Sequence, residues 1–132
     1  MTPDQEIKTL LAAMFAAWNG EDQQRYLQHY WRSEDMRWSM KGAFYKGWSS
    51  MEREYDRDYP PGAMGIVKIW DVEVQVLASD VVVAMYPWTH TLPTRAITGC
   101  TTQTFRRTAG ARLLVHQISA RAPAAGPPRR GL

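Results

Sequence analysis

The hydrophobic period changes partway along this chain. Before residue 35 the apolar side chains recur every three or four positions, and after it they mostly alternate. A helix repeats every 3.6 residues and a strand every two, so such a chain puts helices first and sheet afterwards. Ile7, Leu10, Leu11, Met14, Phe15 and Trp18 draw a single apolar stripe. Thr2 and Gln5 form a capping box around Pro3 at the helix start, and Asn19-Gly20 stops the helix. A shorter second helix is predicted from about Asp22, with Tyr26, Leu27, Tyr30 and Trp31 on one side.

From Asp35 onward Met36, Trp38 and Met40 alternate with Arg37, Ser39 and Lys41, and Gly42 turns the chain back through Ala43–Lys46 as a hairpin. Ser49-Ser50-Met51-Glu52 has the form of a capping box, predicting a third helix to about Asp58 that Tyr59-Pro60-Pro61-Gly62 ends. Strands are predicted over 66–77, 81–90, 96–107 and 111–121, with Ala78-Ser79-Asp80 and Thr108-Ala109-Gly110 as turns and 91–95 as a loop. In the first of these, Ile66, Trp70, Val72, Val74 and Val76 form the face predicted to be buried. Asp71, Glu73 and Gln75 form the face turned to solvent or a partner. Helices grouped ahead of an antiparallel meander make an α+β fold over residues 1–121, with the helices on one face of a curved sheet. Residues 122–132, rich in Ala, Pro, Gly and Arg, carry no apolar pattern and are predicted to be a disordered tail.

Composition excludes several function classes. No apolar run approaches the ~20 residues of a membrane span, and the start lacks a basic-then-apolar layout, so a cytoplasmic protein without membrane contact is expected. Cys100 stands alone, which excludes an internal disulfide and a cysteine zinc site. All 13 acidic residues lie in 1–80, beside 9 Lys/Arg, whereas 81–132 holds 7 Arg and no acid. A catalytic carboxylate must therefore come from the first 80 residues. No run interleaves basic and aromatic residues, so nucleic acid is not an expected partner. The three histidines, His29, His90 and His116, are not spaced as metal ligands, and neither metal nor cofactor is expected. Six Trp and six Tyr point either to a stacking pocket for a flat, apolar ligand or to a small core filled with large rings. Trp18 and Trp70 read as core.

Several segments, taken in order, resemble the nuclear-transport-factor-2-like superfamily, and in particular its SnoaL-like branch. They are Ala17-Trp18-Asn19-Gly20-Glu21-Asp22, Lys46-Gly47-Trp48, Tyr59-Pro60 through Met64-Gly65, and Val72–Leu77. Trp88, Gly99, Thr102 and the closing Leu113–Ser119 strand complete the series. The likeness spans about residues 5–121. It implies the cone fold of ketosteroid isomerase, scytalone dehydratase and polyketide cyclases, with N-terminal helices on the concave face of a mostly antiparallel sheet. Two positions depart from the family pattern. Ala111 replaces a tryptophan, and Gln117 replaces a histidine that His116 misses by one residue, a step that reverses a side chain's face in a strand. Gln117 can hydrogen-bond a ligand but cannot act as a base.

The resemblance places the cavity between the helices and the concave sheet. Tyr30, Trp38 and Trp88 then fall at its mouth, and Tyr86, Trp88, His90 and Gln117 form a polar and aromatic lining that Gln103 joins if its strand faces inward. Val82, Ala84, Tyr86, Trp88 and His90 share one side of their strand; Ala111, Leu113, Val115, Gln117 and Ser119 share one side of theirs. His90 is the candidate rim base, and Asp35, at a strand start as is the aspartate base of ketosteroid isomerase, is the second catalytic candidate. His29 reads as a packing residue and His116 as facing solvent or a partner. The expected function is binding of a small, largely apolar or aromatic molecule, with cofactor-free isomerisation, cyclisation or dehydration by proton transfer. The alternative is a non-catalytic binding or dimerisation module. A homodimer is expected through the outer face of the sheet, Asp71, Glu73 and Gln75 meeting Arg106 and Arg112.

Overall fold

A computed structural model describes residues 1–122. Residues 123–132, nearly all of the predicted tail, lie outside the described residues. The elements in chain order are α1 (Pro3–Asn19), α2 (Gln23–Leu27), β1 (Arg37–Met40), β2 (Ala43–Lys46), α3 (Trp48–Asp58), β3 (Ile66–Ile69), β4 (Glu73–Ala78), β5 (Val81–Leu92), β6 (Arg95–Thr108) and β7 (Ala111–Arg121). The strands form a single curved sheet in the order β2-β1-β7-β6-β5-β3, with β4 also pairing β5. Every pairing is antiparallel except β1 with β7. The three helices cover one face. The fold is thus α+β, as the change of period requires. Among the described residues no helix is long and apolar enough to cross a membrane.

The capping box at Thr2 is formed, and Ile7, Leu11, Met14, Ala17 and Trp18 are the buried stripe of α1. The end of α1 grips the segment that leads into β3. Trp18 Nε1 donates to the Met64 carbonyl at 3.1 Å. The Asn19 amide donates to the Val67 carbonyl at 3.0 Å and accepts from the Val67 amide at 2.8 Å, as a neighbouring strand would. The Glu21 carboxylate accepts from the Gly62 and Met64 amides at 2.7 and 3.2 Å.

Four expectations are corrected. Ser49 and Ser50 lie in the first turn of α3 and do not cap it. Its N-cap is Gly47 at φ 86°, without a side-chain bond. Ser49 donates to Glu34, and the Ser50 hydroxyl donates to the Gly47 carbonyl while accepting from Trp38, so neither is free to cap. The stretch 66–77 is two strands rather than one, because Asp71 adopts φ 48° and resets the alternation. Val67 is consequently the buried residue of β3, whereas Ile66 and Trp70 are 44% and 45% exposed and Trp70 is not core; Val76 is exposed as well. The second helix ends at Leu27, and Tyr30 instead bridges to Leu114.

The fourth correction concerns β7. Thr104 pairs with His116 but Phe105 pairs with Leu114, leaving Val115 as a bulge. The bulge reverses the parity of the strand. Gln117 is buried as expected, but before the bulge Leu114 and Arg112 point inward instead of Leu113. Arg112 is therefore not on the outer face. Its side chain is 6% exposed beneath α1 and donates from Nε to the Glu6 carboxylate at 2.9 Å, which Arg107 also holds at 2.9 Å.

The hydrogen bond from Arg112, together with the charges of Arg112 and Arg107, outweighs desolvation and holds the Glu6 carboxyl below its ordinary pKa. A depressed carboxyl pKa stabilises the fold above the unfolded-state value, ~4.3, and that contribution disappears as pH falls through the folded-state value. Glu6→Gln should lower unfolding stability by about 1–2 kcal/mol at pH 7, the scale of charge-assisted hydrogen bonds to a half-buried group. Urea midpoints of the two proteins should converge near pH 3. A gap unchanged between the two pH values would show that the ion pair is not the cause.

Candidate functional site

A cavity of about 90 Å³ opens between the helices and the concave face of the sheet. At ~10–15 Å³ per water this holds about six to nine waters, the space of a one- or two-ring organic molecule. The helices supply Phe15, Trp18, Tyr26, Tyr55 and Tyr59. The sheet supplies Tyr86, Trp88 and His90 from β5, Thr101 from β6, and Gln117 with Arg121 from β7; Lys41 adds the turn after β1. The rings meet mainly edge to face. Trp18 contacts Tyr26, Tyr55, Tyr59 and His90 at centroid distances of 4.9, 5.7, 5.6 and 5.7 Å. Such pairs add about 0.5–1.5 kcal/mol each beyond area burial, so the walls are stiff.

Inside the cavity the polar groups form a neutral network centred on Gln117. Tyr30 donates to Gln117 Oε1 at 2.6 Å, and Gln103 donates to the same oxygen at 2.8 Å. Because the single Tyr30 hydrogen is used there, the 2.9 Å contact between Tyr26 and Tyr30 has Tyr26 as donor. Burial pushes the Tyr26 hydroxyl up to about 12 and those of Tyr30, Tyr55 and Tyr86 well above their ordinary value. All four are therefore uncharged hydrogen-bonding groups at any physiological pH.

His90 stands near the end of β5, against Trp18 and Tyr59. Its Nε2 lies 2.6 Å from the Met64 carbonyl. A carbonyl only accepts, so Nε2 carries the hydrogen and Nδ1 is the acceptor nitrogen of the ring. Burial, its largest influence, lowers the His90 pKa, and the neutral imidazole prevails at pH 7. Trp88 is fixed by its Nε1 bond to Thr101 Oγ1 at 2.8 Å, and Thr101 is in turn 2.9 Å from Ser119. Gly99 makes room for the indole: a Cβ there would lie 2.6 Å from the ring and 2.3 Å from the Ala120 carbonyl oxygen.

Among the residues singled out in the sequence, Tyr86, Trp88, His90 and Gln117 line one cavity. Gln103 and Tyr30 lie behind Gln117 and orient it rather than facing the space. The alternation of β6 resolves in favour of the odd positions, so Gln103 is fully buried. Trp38 is not at the mouth. It is 1% exposed, stacked on Tyr45 at 4.4 Å and bonded to Ser50 beneath α3. Asp35 does not reach the cavity either. It is exposed in the turn before β1, where its amide donates to Ser33 Oγ at 3.0 Å. His29 is half-buried and His116 exposed, in line with their packing and surface readings. Among the described residues no group of three or more His, Cys, Asp or Glu could hold a metal. Reading the sequence missed Phe15, Tyr26, Tyr55, Tyr59 and the cations Lys41 and Arg121. Tyr26 with Tyr30 and Tyr55 with Tyr59, each an i,i+4 pair that begins inside a helix and ends just past it, are the signal that could have found the tyrosines.

No family model matches the chain, and no curated protein matches it in sequence. Solved structures do match. A nuclear-transport-factor-2-like protein of unknown function from Shewanella oneidensis shares 23% identity over 89% of this chain and 98% of its own, with a TM-score of 0.84. A ketosteroid isomerase-like protein from Parabacteroides distasonis shares 14% over 87% and 86%, at 0.71. The association domain of C. elegans CaMKII shares 14% over 89% and 94%, at 0.69. Together with the helices laid over one curved sheet, these likenesses establish that the chain has the nuclear-transport-factor-2-like cone fold.

Proposed function

We propose that this protein binds a small, largely apolar or aromatic molecule in its cone cavity, with the Tyr–Gln network hydrogen-bonding a carbonyl or hydroxyl on that molecule. The observation that carries the reading is the pairing of a ring-walled cavity with a neutral, internally bonded polar cluster. Such a cluster orients a ligand without the desolvation cost of a buried charge. 2-Naphthol, a flat probe with one hydroxyl, should quench tryptophan fluorescence along a saturable curve. Trp88→Ala should weaken that binding by roughly 1–3 kcal/mol, and Gln117→Ala by about 1 kcal/mol. Linear, non-saturating quenching would remove this reading.

His90 favours a second step, proton transfer on the bound molecule, as in a cofactor-free isomerase, cyclase or dehydratase. A neutral imidazole with Nε2–H committed to a carbonyl has the protonation state of a general base. Neutral tyrosine hydroxyls are suited to stabilise the oxyanion that forms when a proton leaves carbon beside a carbonyl. The solved ketosteroid isomerase-like relative supports this reading, and the CaMKII association domain supports the non-catalytic alternative. 2-Tetralone in D₂O separates them. A catalytic protein should accelerate exchange of its α-hydrogens, with the rate falling as pH drops below the lowered His90 pKa. His90→Gln should reduce the rate by ~10²–10⁴ with little change in binding. Exchange no faster than in buffer would assign the protein to the binding-module class.

We also propose that two copies pair through the outer face of the sheet. Its residues run abreast in one row: Phe44, Ser39, Ile118, Thr102, Met85 and Glu73, on six adjacent strands. Phe44, Met85 and Ile118 are 87%, 51% and 47% exposed. A self-complementary apolar row of this kind suits a two-fold axis. This places the contact on apolar residues and leaves out Arg112, which Glu6 already holds. Sedimentation at micromolar concentration should show a dimer that Ile118→Glu converts to a monomer. A monomeric wild-type protein would refute the pairing.

A further inference from the structure

We propose that the ligand of this cavity carries a carboxylate, held at the mouth by Arg121 with help from Lys41 and the Tyr59 hydroxyl. This deepens the ligand-binding reading and rests on it. Among the described residues the only ionised side chains lining the cavity are Lys41 and Arg121, and no carboxylate of the described residues lines it. Both cations are organised around Tyr59. Arg121 Nη2 donates to the Tyr59 hydroxyl at 3.3 Å, and Lys41 Nζ lies 5.9 Å from the centre of its ring. Since Tyr59 accepts from Arg121, its own hydrogen is free to donate to an anion beside the guanidinium. Lys41 is balanced by Asp58 at 3.2 Å, a carboxylate that Arg57 also contacts. Among the described residues no carboxylate pairs with Arg121, whose charge lies next to an apolar, ring-lined space. Arg121 also adds to the lowering of the His90 pKa, which places its field at the cavity.

The spacing of the two polar ends sets the size of the ligand. Gln117 and Arg121 are four residues apart on β7, about 13 Å at ~3.3 Å per residue. They face the same side, with Ser119 between them. A two-ring body with a hydroxyl or carbonyl at one end and a carboxylate at the other spans that interval with a hydrogen bond at each end. Guanidinium and phenol donors on a carboxylate make charge-assisted bonds that a neutral amide cannot match.

The test compares 6-hydroxy-2-naphthoate with 6-hydroxy-2-naphthamide, which keeps the shape and removes the charge, by calorimetry and tryptophan quenching. The naphthoate should bind at least tenfold more tightly to the wild-type protein. Arg121→Gln should bring the two within about twofold by weakening the naphthoate alone, its unchanged amide affinity reporting an intact cavity. Lys41→Gln should reduce the preference in part, and the preference should shrink with added salt. Equal affinities in the wild type would overturn the carboxylate while leaving the ligand reading in place. A preference that survives Arg121→Gln would overturn the assignment to this residue. Binding of neither probe would overturn both readings.

Discussion

The Met64 carbonyl is where the two layers of this protein are joined. It accepts from Trp18 at the end of α1 and from His90 near the end of β5. One oxygen thus ties the helical layer to the sheet and decides the tautomer of His90 in the cavity wall. Asn19 and Glu21 hold the same segment through four further bonds to backbone. Gly65 is required beside this junction. At φ 77° a Cβ would sit 2.6 Å from the Thr91 carbonyl oxygen and 2.9 Å from His90 Nε2. Were this junction loosened, the aromatic contacts of Trp18 with Tyr26, Tyr55 and Tyr59 would lose their fixed geometry, and the cavity wall with them.

The polarity of the cavity is graded. Around Gln117 the groups are neutral and bonded to one another without introducing charge, with Gln103 Oε1 left buried and without a partner among the described residues. At the mouth the charges are positive, and the apolar rings lie between. The glutamine at 117 suits this arrangement. Its amide oxygen accepts from both Tyr30 and Gln103, whereas a histidine there could offer at most one acceptor nitrogen to the two donors. His90 is the titratable ring of the sheet wall, kept neutral by burial and with its Nε2 hydrogen already placed on the Met64 carbonyl.

Much of the fold was legible because it depends on local pattern. The capping box at Thr2 and the stripe of α1 form as read. The alternation Val82, Ala84, Tyr86, Trp88 and His90 runs unbroken along β5, so three of the lining residues follow from parity alone. Two of the errors share one cause, which is a backbone irregularity that shifts parity. Asp71 at a positive φ moves Trp70 to the surface, and the bulge at Val115 turns Arg112 inward and Leu113 out. Aspartate tolerates a positive φ without requiring one, and the bulge at Val115 is set by the pairing of the neighbouring strands rather than by the residue itself. Ser49 and Ser50 fit a capping pattern, but Glu34 and Trp38, more than ten residues earlier, engage their hydroxyls first.

The sequence by itself determined the class of fold, the order of its elements and the aromatic character of its interior, since periodicity and composition act within a few residues. Tertiary structure alone decided which rings face the cavity and which fill the core. Trp38 and Trp88 are equivalent in strand parity, yet one is sealed beneath α3 by Ser50 and Tyr45, while the other stands over Gly99 beside open space. It also decided that Lys41 and Arg121, eighty residues apart in the chain, meet around Tyr59. The parallel pairing of β1 with β7 brings the end of the first strand beside the end of the last. A contact of that separation depends on how distant strands register, which no local pattern encodes.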